Sequence, residues 1–216
     1  MAKNLGGPKL WCGGNQSMNK IIAEAVLLKV ADIFDTVGVP FFLIQGTALG
    51  AYRDKGFTPT ELDIDFAILQ ENFNHTAGDI AKHLVDAGAE IESWSLPFTR
   101  VKTLVAKLWD VKVDIVGHVR WKDKRFTSIP VITNDARAPH VGEPYALVHN
   151  AEWFENYDTV ELFGREFKVP SPIEEYLAHE YGEDWRIPKK DHVSRTRIYD
   201  FIKTEGIPHD LFEHPR

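Results

Sequence analysis

Residues 41–68 read FFLIQGTALGAYRDKGFTPTELDIDFAI. In the second half, Glu61-Leu62-Asp63-Ile64-Asp65-Phe66, acidic and apolar residues alternate. A strand over about 62–69 places Asp63 and Asp65 on one face and turns Ile64 and Phe66 to the core. Two adjacent carboxylates repel, and one is driven toward its neutral form unless a cation sits between them. Mg²⁺ or Mn²⁺ suits such a pair, because Mg²⁺ takes one or two carboxylates together with substrate phosphates. Two exposed acids on an edge strand would read the same way. The first half holds a dense apolar run, Pro40–Gln45, that reads as a buried strand ending at Gly46. Gly46 permits close backbone approach, and the amides after it, with the Thr47 hydroxyl, offer donors to phosphate oxygens.

A strand, a Gly-Thr turn, a short helix and D-x-D on a second strand form the pattern of the nucleotidyltransferase fold. This predicts an α+β chain: a mixed sheet with flanking helices and a C-terminal hairpin and helical extension packed on it. Such a fold draws a third acid from a later strand. Asp114 stands in one, Val111–Gly117, on the face opposite Val113 and Ile115. Asp110 competes with it but lies at the turn between strands. The expected metal and catalytic acids are therefore Asp63, Asp65 and Asp114, with Gly46 and Thr47 contacting substrate; Arg53 reads equally as a surface arginine or as a bidentate partner of a substrate phosphate.

Around this segment, residues 1–19 read as a tail, 20–125 as the nucleotidyltransferase-like core and 126–216 as an extension completing the cleft. Apolar spacing predicts a helix over 20–37 with Ile21, Ile22, Ala25, Val26, Leu28, Ile33 and Phe34 inward, stopped by Gly38. A second helix is expected over 76–87, and strands over 90–95 and 101–109. Residues 126–145 are punctuated by Pro and Gly. A hairpin is expected over 158–169, turning near Gly164. A helix should follow with Ser171 as N-cap and Pro172 in its first position, and a last helix over 193–204. Trp185 is expected to be buried. His118, just past the Asp114 strand, reads as a solvated loop residue.

The quoted run resembles the LicD/fukutin family of phosphotransferases, whose segment reads roughly G-T-x-L-G-x-x-R-x-x-G-x-I/F-P-x-x-x-D-x-D. Gly46, Thr47, Leu49, Gly50, Arg53, Gly56, Phe57, Pro59, Asp63 and Asp65 match it. A second ordered match lies about 100 residues on, at Pro170, Tyr176, Leu177, Tyr181, Gly182, Trp185 and Pro188. Many members have Asp where this chain has Glu61. The resemblance implies a metal-dependent enzyme moving a phospho-alcohol, such as phosphocholine or ribitol or glycerol phosphate, from a CDP-linked donor to a glycan or related hydroxyl. Two other readings share the same residues: transfer of a nucleoside monophosphate from an NTP, and a domain that binds nucleotide or glycan without catalysis.

The 216 residues carry 32 acidic and 25 basic side chains, a net charge of −7, which argues against a broad DNA-binding surface. With 44% hydrophobic residues the chain has material for a sizeable core, not a disordered state. A single cysteine, Cys12, excludes an intramolecular disulfide and a Cys-rich zinc module. No apolar run is long enough for a membrane span, so a cytoplasmic location is expected.

Overall fold

The computed structural model describes residues 18–93, 103–129, 145–188 and 199–200. The first helix, α1 (Lys20–Val37), begins at Asn19, whose side chain accepts from the Ile21 and Ile22 amides, and ends at Gly38 with φ 74°. Its buried stripe is Ala23, Val26, Leu27, Val30, Ala31, Ile33 and Phe34. That stripe is rotated from the expected one: Ile21 and Ala25 face solvent, while Ala23 and Leu27 face the core.

The expected first strand shortens to β1 (Phe42–Leu43), because Gln45 already starts α2 (Gln45–Leu49), which runs into a π-helical turn, Gly50–Asp54. Gly50 fits only without a side chain, since a Cβ there would lie 2.4 Å from the Gly56 carbonyl oxygen. After β2 (Asp63–Leu69) comes α3 (Gln70–Asp86), which starts six residues earlier than anticipated. Asn72, Asn74, His75 and Thr76 are weak helix formers, so the sequence hides that start, which the burial of Phe73 stabilises.

The sheet continues through β3 (Glu90–Ser93), β4 (Thr103–Leu108), β5 (Val111–Trp121), β6 (Lys124–Ile129) and β7 (Tyr145–Asn150). β2 and β5 are parallel, with Asp65 opposite Asp114; β4 lies antiparallel along the first half of β5, and β6 along its end. β6 runs into the stretch where only Pro and Gly punctuation was read, β7 follows it where no element was expected, and β6 crosses residue 125 without a break. Within the span expected as a last helix, Tyr199–Asp200 is instead a strand, β10, paired with β7, and the rest of that span lies outside the described residues. Phe34, Phe41 and Phe66 meet at centroid distances of 4.8–5.7 Å where α1 covers the sheet.

The hairpin of β8 (Tyr157–Leu162) and β9 (Arg165–Pro170) turns through Phe163 and Gly164, both with positive φ, as a two-residue hairpin loop requires. Arg165 ties it to Asp32 and Asp35 of α1 at 2.8 and 2.6 Å. The helix that follows, α4 (Ile173–Tyr181), is capped differently from expectation. Pro172 occupies the N-cap position, and the Asp158 carboxylate accepts from the Ile173 amide at 2.8 Å and the Ser171 hydroxyl at 3.0 Å. Asp158→Ala should therefore cost about 1 kcal/mol of stability, measured by urea denaturation, with Ser171→Ala costing less.

Candidate active site

Glu61 lies just before β2, and Asp63 and Asp65 alternate at its start; one carboxylate oxygen from each of the three lies within 4.8 Å of the other two. Glu61 and Asp65 are buried and Asp63 is half-buried. Local hydrogen bonds fix the arrangement. Thr58 donates its hydroxyl to Glu61 Oε2 at 2.9 Å. The Asp65 amide donates to Thr47 Oγ1 at 2.9 Å, and the Ile44 amide to the Asp65 carbonyl at 3.2 Å. The Gln45 amide, at a residue with φ 49°, donates to the Tyr176 hydroxyl at 3.0 Å. A Cβ on Gly46 would lie 2.1 Å from Glu61 Oε1, so the space this glycine leaves is filled by that carboxylate.

Asp114 faces the same site from β5 but is held differently. Lys112 Nζ lies 2.6 Å from Asp114 Oδ2 and 3.2 Å from Asp63 Oδ2, bridging the two strands. Asp114 Oδ1 is buried and has no hydrogen-bond partner among the described residues. The compact oxygen group is thus Glu61, Asp63 and Asp65, with Asp114 beside it through the Lys112 ammonium. Period-two alternation runs through both: Glu61 precedes Asp63 by two residues, and Lys112 precedes Asp114 by two. Asp110 sits on an exposed β4–β5 turn, paired with Lys107 at 2.8 Å.

Arg53 forks onto both oxygens of Asp54 at 2.8 Å and donates to the Trp185 carbonyl at 2.9 Å. Trp185 is 3% exposed, packed on the Tyr52 ring at 5.8 Å. The two ordered sequence motifs therefore meet beside the acids. His118 is not solvated: it lies within β5, fully buried, because that strand continues past Gly117 to pair with β6. Lys189, Lys190 and Cys12 lie outside the described residues.

The electrostatics follow from burial. It pushes the Glu61 carboxyl up to about 7, against the help of the Thr58 hydroxyl. Burial, then Asp63, Asp114 and Glu61, hold Asp65 well above the usual carboxylate range. Burial also raises Asp114, although Lys112 pulls it back. Burial would lower Lys112, but Asp114 and Asp63 outweigh it and raise its pKa. Without a cation, then, the folded state holds a proton on Glu61 more tightly than the unfolded chain does. Stability should fall as pH rises from about 4.5 to about 7, by on the order of 3 kcal/mol from Glu61. Denaturant midpoints across that window in chelator should show the fall, and Mg²⁺ should flatten it.

A family profile described as "LicD/FKTN/FKRP, nucleotidyltransferase domain" matches residues 38–171, well over half the chain and spanning every acid of the site. The chain belongs to this family. Its nucleotidyltransferase-like α+β fold is the one that a LicD/fukutin-like transferase carries. Among curated proteins, Ribitol-5-phosphate transferase FKTN of Macaca fascicularis and of Homo sapiens are each 26% identical over 172 residues, 78% of this chain and 34% of theirs. This LicD-family chain thus spans about a third of the length of those relatives. Among solved structures, ANT(2")-Ia in solution aligns with TM-score 0.48 at 15% identity, covering 80% of this chain and 77% of that one. A Thermotoga maritima protein described as a nucleotidyltransferase aligns with TM-score 0.44 at 17% identity, covering 77% and 88%. Among the described residues, no helix is long and apolar enough to cross a membrane.

Proposed function

We propose that this LicD-family chain transfers a phospho-alcohol, of the ribitol phosphate class, from a CDP-linked donor to a hydroxyl of a glycan or related small acceptor. The observation that carries this reading is the convergence of Glu61, just before β2, with Asp63 and Asp65 at its start, beside Asp114. Two buried carboxylates and a half-buried one, with oxygens within 4.8 Å of one another, are costly without a cation, and an all-oxygen donor set suits Mg²⁺ or Mn²⁺. Bound there, the cation would neutralise charge on the donor diphosphate. The relatives' name supplies the transferred group.

The chain's own residues have separable tasks in this reading. Asp63 and Asp65 hold the metal, and Glu61 joins them. The buried Oδ1 of Asp114, unpartnered among the described residues, takes the proton of the acceptor hydroxyl, while Lys112 on Oδ2 keeps that carboxylate oriented. Gly46 and Thr47 shape the acid face from α2. Arg53 reaches the donor by exchanging the two oxygens of Asp54 for two oxygens of a phosphate group, which present the same bidentate geometry. Incubation with a panel of CDP-alcohols and NTPs in Mg²⁺ tests the reading. CMP release with an acceptor present supports it; pyrophosphate release from an NTP would assign nucleotidyl transfer instead.

A further inference from the structure

A second group of ligating side chains lies apart from the acids. His149 on β7, with His179 and Glu180 on α4, each offer one ligand atom within 4.8 Å of the other two. His149 and Glu180 are each 2% exposed and face one another, Nε2 to Oε1, at 2.7 Å. His179 is half-buried, which leaves one side of the group open to solvent. Its Nε2 lies 2.9 Å from the Val148 carbonyl oxygen. A carbonyl only accepts, so Nε2 carries the proton and Nδ1 keeps its lone pair, the arrangement that orients metal-ligating histidines.

The nitrogens nearby are poorly matched. His149 Nδ1 is buried and has no hydrogen-bond partner among the described residues, and the same holds for both ring nitrogens of His118. The His118 ring stacks on His149 at 5.4 Å and 17°. Folded interiors seldom leave three such nitrogens unsatisfied in one place, and none of the three is a ligand atom of the group.

We propose that His149, His179 and Glu180 form a transition-metal site of the Zn²⁺ class, separate from the acid cluster. Two imidazoles and one carboxylate are a donor set of three-ligand zinc sites, with the fourth position left to water on the half-exposed His179 side. Imidazole favours Zn²⁺ over Mg²⁺, whereas the all-oxygen acid cluster favours Mg²⁺. The two sites therefore sort ions by donor chemistry. They are also apart in space: His118 stands four residues beyond Asp114 on β5, about 13 Å along a strand. The ion replaces the proton shared by His149 and Glu180, which leaves to solvent. It would join β7 to α4, the helix whose Tyr176 hydroxyl receives the Gln45 amide at the acid site. This inference does not rest on the transferase reading.

The test uses the untagged full chain, stripped of metal by chelator. It is titrated with Co²⁺, read by visible d–d absorption, and the Co²⁺ is then displaced by Zn²⁺. Wild type, H179Q and the D63N/D65N double variant are compared, with folding checked by circular dichroism. The expected result is one Zn²⁺ per chain, bound equally by the acid variant and at least about tenfold more weakly by H179Q. Imidazole ¹⁵N spectra should show direct shifts at two histidines only. Absent tight Zn²⁺ binding, binding unchanged in H179Q, or binding lost in D63N/D65N would each overturn the proposal. If H179Q does not fold, the wild-type imidazole spectra decide: shifts at no histidine, or at histidines other than this pair, overturn it.

Discussion

Asp65→Asn should lower transfer by about a hundredfold or more, since metal charge stabilisation is worth several kcal/mol and 1.4 kcal/mol is tenfold in rate. In chelator the same substitution should raise the unfolding midpoint. Asp65 is buried between like charges, and burial, Asp63, Asp114 and Glu61 all oppose its ionised form. An amide of the same shape removes that repulsion and still lets the backbone keep its bonds to Thr47 and Ile44. Function and stability are thus expected to move in opposite directions, as they do where an active site stores unfavourable electrostatics. Added Mg²⁺ should stabilise wild type and leave the variant nearly unchanged. Thermal unfolding with and without Mg²⁺, beside a rate assay, checks both halves. A variant destabilised in chelator would show that Asp65 is held by structural partners and not by a cation.

Asp114→Asn should behave differently. Asp114 comes from β5, lies outside the compact Glu61–Asp63–Asp65 group and is gripped on Oδ2 by Lys112. The amide keeps the shape but cannot take a proton at neutral pH, so transfer should fall by about 10²–10⁴. Metal and donor binding should stay close to wild type. Calorimetry of the donor with Mg²⁺, beside single-turnover rates, separates the cases. Lost donor binding would make Asp114 a metal ligand first; near-normal turnover would remove it from the mechanism.

These two substitutions probe the part of the chain where local pattern and tertiary structure agree. Alternation over 61–66 was legible because β2 is short, one face is acidic and the other is core. The hairpin turn at Gly164 was legible for similar local reasons. What escaped the sequence depends on distant partners. β6 (KRFTSI) buries Arg125 and Thr127, so it lacks an apolar alternation; Arg125 is neutralised by Glu71, far away on α3. His118 is buried by distant partners, its ring packed on Phe154 and on His149 of β7. The cap of α4 comes from Asp158, across the hairpin, whereas Ser171 had the right local spacing. Lys112 shares a face with Asp114 by simple alternation. Its bridge to Asp63, however, follows from the parallel register of β2 on β5, which one strand cannot reveal.

Mn²⁺ binding followed by electron paramagnetic resonance tests the central claim most directly, because it observes the cation at the acids independently of any substrate. The account predicts one tightly held Mn²⁺ per wild-type chain, displaced by Mg²⁺, tightened by a CDP-alcohol, and lost in Asp65→Asn but retained in Asp114→Asn. Equal Mn²⁺ binding by wild type and Asp65→Asn would contradict it.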